Sequence, residues 1–149
     1  MKKPITNNLV IELHVPDFEK VRDFYSKLGF VETMFDEPTE KEQGYLTMTR
    51  KDAAGNTMIN FYGSDERVYT QSFFKKFPKE TPRGFEVEIT IPVDDVEKLY
   101  DQISSLLKDN IARELTELND HDFRWKDFRM VDPFGFYLRF TELIDWGQE

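Results

Sequence analysis

With 149 residues, a 39% hydrophobic content and 14 Phe, 6 Tyr and 2 Trp, the chain is expected to pack one domain, or two small units sharing a core, and not to be disordered. A formal net charge of −9 argues against a nucleic-acid surface, which needs a basic stripe; it serves solubility first and attraction of a cationic ligand second. The lack of cysteine excludes disulfides, thiolate metal sites and a thiol nucleophile.

Met1-Lys2-Lys3-Pro4 runs straight into polar Thr6-Asn7-Asn8, with no apolar signal core and no membrane-length apolar segment, so a soluble cytoplasmic protein is expected. Residues 9 to 15 alternate, which predicts a strand with Leu9, Ile11, Leu13 and Val15 on one face and Val10, Glu12 and His14 on the other. Asp17 is placed to cap a helix whose apolar positions are Phe18, Val21, Phe24, Tyr25 and Leu28, and Gly29 stops it. Strands are expected over Phe30 to Phe35, Tyr45 to Thr49 and Thr57 to Tyr62. The last two form a hairpin through Asp52 to Asn56.

Residues 64–84 read as a linker between a first module, 1–63, and a second, 85–149. A short helix through Thr70 to Phe77 fits there, and Tyr69, Phe73, Phe74 and Phe77 are expected to tuck it onto the core. Beyond the linker, Phe85, Val87, Ile89, Ile91 and Val93 alternate with Glu86, Glu88 and Thr90. Asp94 or Asp95 caps a second helix with an apolar face of Val96, Leu99, Tyr100, Ile103, Leu106 and Leu107. Three strands follow, Ala112 to Leu118, Phe123 to Val131 and Phe136 to Leu143, with His121 in the polar turn Asn119-Asp120-His121-Asp122.

The second half repeats the first. A shift of 78 positions lays Val15 to Leu28 on Val93 to Leu106, and Val, Asp, Glu, Lys, Asp, Ser and Leu coincide. Asp52-x-x-Gly55 and Asp132-x-x-Gly135 also precede the last strand of each half. Matched helices after matched strands point to duplication. After the second turn, Leu138 and Phe140 alternate with Tyr137, Arg139 and Thr141, so a cation lies between two hydroxyls on a face read as the floor of a cavity.

Val15-Pro16-Asp17, the helix end Asp23-Phe24-Tyr25-Ser26-Lys27-Leu28-Gly29-Phe30, and Trp125 with Phe128 through Phe140 resemble the vicinal oxygen chelate superfamily of glyoxalases, bleomycin-resistance proteins and extradiol dioxygenases. The resemblance implies an α+β fold. Two tandem βαβββ modules form a curved mixed sheet around a cavity, with helices outside, in one structural domain that is a homodimer by analogy. Catalytic members hold a divalent metal on cavity-facing strands. The corresponding positions here are Val10, Ile59, Glu88 and Arg139, of which only Glu88 is a donor, and Arg139 carries a permanent positive charge.

No metal, cofactor or catalytic residue is therefore expected. The reading is a protein that sequesters a small, cationic, aromatic ligand, as a bleomycin-resistance protein does, with Glu12, His14, Glu86, Glu88, Thr90, Trp125, Tyr137 and Arg139 lining the site. Glu88 and Arg139 either pair with each other or contact the ligand. The alternative is a metal-dependent lyase or dioxygenase with an altered ligand set, drawing on Glu12, His14, Glu86 or Glu88. Neither membrane nor nucleic acid is an expected partner.

Overall fold

The structure, a computed structural model, describes residues 9–70, 74, 76–82, 84, 86–119 and 124–142. Expectations that rest on Phe73, Phe85, His121, Phe123 and Leu143 fall outside these residues. The order is β1 (Ile11–Val15), α1 (Phe18–Lys27), β2 (Val31–Asp36), β3 (Gly44–Asp52), β4 (Gly55–Gly63), a 3-10 turn (Glu66–Thr70), β5 (Glu88–Val93), α2 (Val96–Ile103), a second 3-10 turn (Lys108–Asn110), β6 (Ile111–Asn119), β7 (Arg124–Val131) and β8 (Tyr137–Glu142). Each half makes one four-stranded mixed sheet, β1-β4-β3-β2 and β5-β8-β7-β6. In each sheet the first strand runs parallel to the last. This is the α+β pair of βαβββ modules that the repeat predicts.

The two helices start alike because their caps are alike. Asp17 accepts from the Lys20 amide at 3.1 Å and Asp95 from the Lys98 amide at 2.9 Å, each satisfying one orphan donor of a first turn, an interaction of about 1 kcal/mol. Gly29 takes the left-handed conformation just past α1, at φ 85°, where a Cβ is strained. The buried face of α1, Phe18, Val21, Phe24 and Tyr25, meets the side of the first sheet that carries Phe61 and Phe35: the Tyr25 ring lies 5.0 Å from Phe61 and Phe18 lies 6.3 Å from Phe35. On the second sheet, Tyr100 of α2 tilts against Phe128 at 5.3 Å. Buried side chains of both halves form one continuous core, each fully buried large one worth about 1.5–3 kcal/mol.

Three expectations change. Leu9 and Val87 are 76% and 58% exposed and lie outside the strands: β1 begins at Ile11 opposite Ile59 and β5 at Glu88 opposite Tyr137. At Tyr137 β8 itself begins, whereas β4 reaches back to Gly55 without β1 beside it. Leu106 is also exposed, since α2 ends at Ile103 and Leu107 turns into the core instead. The first hairpin is tighter than predicted, with Asp52 paired to Gly55 across two residues. The short helix expected through Thr70 to Phe77 rests in part on residues outside the described ones, and a 3-10 turn, Glu66–Thr70, precedes it.

The two turn aspartates tie the halves together. Asp132, 3% exposed, accepts from the Phe134 and Phe136 amides at 2.9 and 2.8 Å and from the Tyr25 hydroxyl of the first half at 2.8 Å. Asp52 accepts from the Ala54 amide and, across to the second half, from the Asp94 amide, both at 2.8 Å. Arg50 closes on the other Asp52 oxygen. The recurring Asp-x-x-Gly is thus a turn device that also joins the modules.

Candidate functional site

Alternation along β1 decides what the first sheet offers on the face away from α1. Leu13 and Val15 go into the core, so Glu12 and His14 emerge on the other side, opposite Asn60 and Tyr62 of β4. β3 adds Tyr45 beside Tyr62. The Tyr45 hydroxyl donates to Glu12 Oε2 at 2.7 Å, and His14 Nε2 lies 2.9 Å from Glu12 Oε1. An ionised carboxylate only accepts, so Nε2 carries the hydrogen. Burial, with the bond to Glu12 second, pushes the Tyr45 phenol up to about 12. The His14 ring sits 4.9 Å from Tyr62 and meets Phe74 edge-on at 4.7 Å.

Above this cluster the segment after β4 folds back over β1 and encloses a cavity of about 340 Å³. Glu12 and His14 supply its polar floor, Val68, Tyr69, Phe74 and Phe77 its walls, and Phe136 of the second half closes one side. Such a volume lies in the range of about 300–1,000 Å³ usual for small-molecule sites. The sequence reading assigned Tyr69, Phe74 and Phe77 to packing of the linker on the core. Phe74 and Phe77 are instead 45% and 57% exposed at the cavity. Their clustering in a stretch without periodicity was the available signal, but only the fold-back shows which surface they cover.

The second sheet presents a different chemistry. Thr90 and Arg129 are the neighbours of Arg139 on β5 and β7, and Glu88 pairs with Tyr137. Arg139 Nε donates to Asp127 Oδ2 at 2.7 Å, and Arg129 Nε donates to Glu88 Oε2 at 3.1 Å. Arg139 Nη1 is 3.7 Å from Glu88 Oε1, and Thr90 donates to the same carboxylate at 3.2 Å. Two guanidiniums and two carboxylates therefore alternate on one face. Asp127 is 1% exposed, and its Oδ1 is buried with no hydrogen-bond partner. Asp127 and Arg129 were not singled out from the sequence, although they share the period-two face of β7 with Trp125, which is half-buried.

The eight candidate residues thus fall into separate groups. Glu12 and His14 meet at the first cavity. Glu88, Thr90 and Arg139 meet on the second sheet. Glu86 lies before β5 in a left-handed conformation, φ 60°, and with Glu88 and Tyr137 borders a more open hollow of about 570 Å³ near Gly84 and Gly135.

These residues do not fit a divalent metal. Val10 has no donor, and Ile59 is fully buried in the core, because the two-residue hairpin shifts β4 by one position and puts Asn60 on the cavity side. Arg139 holds its guanidinium beside Glu88, where a cation would lie. Among the described residues, no three of His, Cys, Asp and Glu converge as a metal-binding group. No helix of the described residues is long and apolar enough to cross a membrane.

No protein-family model matches the sequence, and no curated protein matches it significantly. Solved structures do match. A bleomycin-resistance determinant encoded on the transposon Tn5 is 20% identical, with a TM-score of 0.58 over 92% of this chain and 98% of that one. A bleomycin-binding protein solved in complex with bleomycin is 19% identical, with a TM-score of 0.59 over 93% and 100%. A glyoxalase family protein from Enterococcus faecalis is 18% identical, with a TM-score of 0.60 over 92% and 98%. The chain therefore has the fold of the glyoxalase and bleomycin-resistance proteins, the fold implied by its Val-Pro-Asp and Asp-Pro-Phe-Gly stretches.

Proposed function

We propose that this protein binds and sequesters a small molecule without transforming it, and that the ligand carries a flat apolar ring and a positive charge. The observation that carries this reading is the aromatic-walled cavity of about 340 Å³ with the Glu12 carboxylate on its floor. Tyr69, Phe74 and Phe77 offer ring faces and edges, and one carboxylate gives a cation its counter-charge. The arginine face of the second sheet is satisfied mostly by its own carboxylates, so it serves as scaffold beside the site. Residence in the cytoplasm is part of the same reading.

The protein is further proposed to act as a homodimer. Every residue of β2 is exposed, including Val31, Met34 and Phe35 at 58%, 47% and 42%, and β2 is an edge strand. An apolar edge of this kind favours pairing with another copy.

Calorimetric titration of the protein with bleomycin and with smaller cationic aromatic compounds tests the binding function. Saturable heat with at least one compound, lost on filling the cavity by Thr81→Trp, is the expected result. No heat with any of them would leave the reading without support.

A further inference from the structure

A bulge in β6 gives the charged face of the second sheet a further cation. Ile111 pairs with Met130 and packs against the core, but the next paired residue, Arg113, stands opposite Arg129 and not opposite the buried Phe128. Regular pairing would put Arg113 in phase with Ile111. Arg129 is in turn opposite Arg139, and Arg139 opposite Thr90. One row across the four strands therefore reads Thr90, Arg139, Arg129, Arg113.

The scaffold role of this face does not use up its donors. A guanidinium carries a fork of N–H groups, yet Arg139 and Arg129 hydrogen-bond through Nε alone, to Asp127 and Glu88 respectively. The terminal nitrogens approach the crossed partners at 3.6 Å, Arg129 Nη2 to Asp127, and 3.7 Å, Arg139 Nη1 to Glu88, too far for a hydrogen bond. No nitrogen of either arginine is both buried and unpartnered, so the unused N–H groups open to solvent. Arg113 is exposed and makes no ion pair with another described residue. Arg113, Arg129 and Arg139 stand against Glu88 and Asp127, which leaves the row a surplus positive charge in a chain whose formal net charge is −9. Beside the row, Tyr137 precedes Arg139 on the same face of β8 and, with Glu88, borders the hollow of about 570 Å³.

We propose that this row binds the carboxylate of a small aromatic acid, with the oxyanion seated across Arg129 and its neighbouring guanidiniums and the ring toward Tyr137. This is a second site, apart from the Glu12 cavity, and it takes a ligand of the opposite charge. A monoanion matches the surplus charge, and a planar carboxylate matches the forked donors. Asp127 and Glu88 hold the arginines in position before the ligand arrives, which lowers the ordering cost of binding.

The test titrates benzoate into isotope-labelled protein at low salt, following the arginine Nε–H resonances by NMR, with benzamide as the neutral compound of the same shape. Benzoate is expected to shift the Arg129 and Arg139 signals saturably and benzamide to leave them in place. Arg113→Glu should weaken benzoate binding about tenfold or more, and since Arg113 is exposed the variant should fold as the wild type does. Thr81→Trp, which fills the other cavity, should leave benzoate binding unchanged. No shift with benzoate, an equal response to benzamide, or unchanged affinity in Arg113→Glu overturns the site. Loss of benzoate binding in Thr81→Trp would place the acid in the Glu12 cavity and overturn it as well.

Discussion

The Tyr25 hydroxyl, on the last turn of α1, donates a 2.8 Å hydrogen bond to Asp132 in the turn between β7 and β8, 107 residues away. Both groups are buried, and burial pushes both the phenol and the carboxyl above their ordinary values. The bond joins the helix of one module to the turn of the other. Tyr25→Phe leaves one oxygen of a buried carboxylate unsatisfied, so it should cost about 1–3 kcal/mol of stability in urea unfolding.

The pH dependence at Asp132 has a definite sign. A carboxyl whose value is raised on folding binds its proton more tightly in the native state, so its contribution is complete below about pH 4 and declines as pH rises through the raised value. Asp132→Asn should therefore be more costly at low pH than at neutral pH, measured as the difference from wild type at each pH. The difference cancels the opposite trend from Asp52 and Asp65, whose values are lowered by hydrogen bonds from Ala54 and from their neighbouring arginines. A cost that grows toward neutral pH would contradict the assignment.

On the second sheet, Arg139 is the partner at 2.7 Å of the fully buried Asp127. Arg139→Met leaves that carboxylate with only the longer contact to Arg129, whose Nη2 is 3.6 Å away, so the loss should be at most about 3–5 kcal/mol, and Asp127→Asn combined with Arg139→Met should recover a large part of it. Denaturant midpoints of the two single variants and the double variant, read as a cycle, measure the coupling. Additive losses would show that the two side chains do not stabilise each other.

Phe74 touches His14 and stands at the cavity wall while remaining 45% exposed. Phe74→Ser should weaken binding of a cationic aromatic compound about tenfold or more, as loss of an aromatic anchor does, with an unchanged melting temperature. A lowered melting temperature with unchanged affinity would assign Phe74 to packing instead.

Met34 lies on the exposed edge strand β2, 47% exposed. The wild-type chain should sediment as a dimer, and Met34→Glu should shift it to monomer by placing a charge on that edge. A wild-type monomer at every concentration would dispose of the dimer.

Much of the fold was legible because it follows from local rules. Period-two alternation located the strands, and Asp17 and Asp95 marked the helix starts through caps that only a short acceptor side chain can make. The repeat supplied the pairing of the two halves. Element ends were less legible: Leu9, Val87 and Leu106 are apolar and in phase, yet β1, β5 and α2 do not reach them and they are exposed.

What the sequence by itself determined was the duplicated α+β architecture, the Asp-x-x-Gly turns, the acidic balance and the pairing potential of Glu88 and Arg139. Only the tertiary structure decided that Glu12 and His14 line a cavity apart from the sheet face that carries Glu88 and Arg139, that Ile59 faces the core, and that Asp127 and Arg129 complete the charged face. The physical reason is the same in each case. Alternation states which residues share a face, but the register between strands and the fold-back of the segment after β4 set which faces meet, and these are fixed by contacts between residues far apart in the chain.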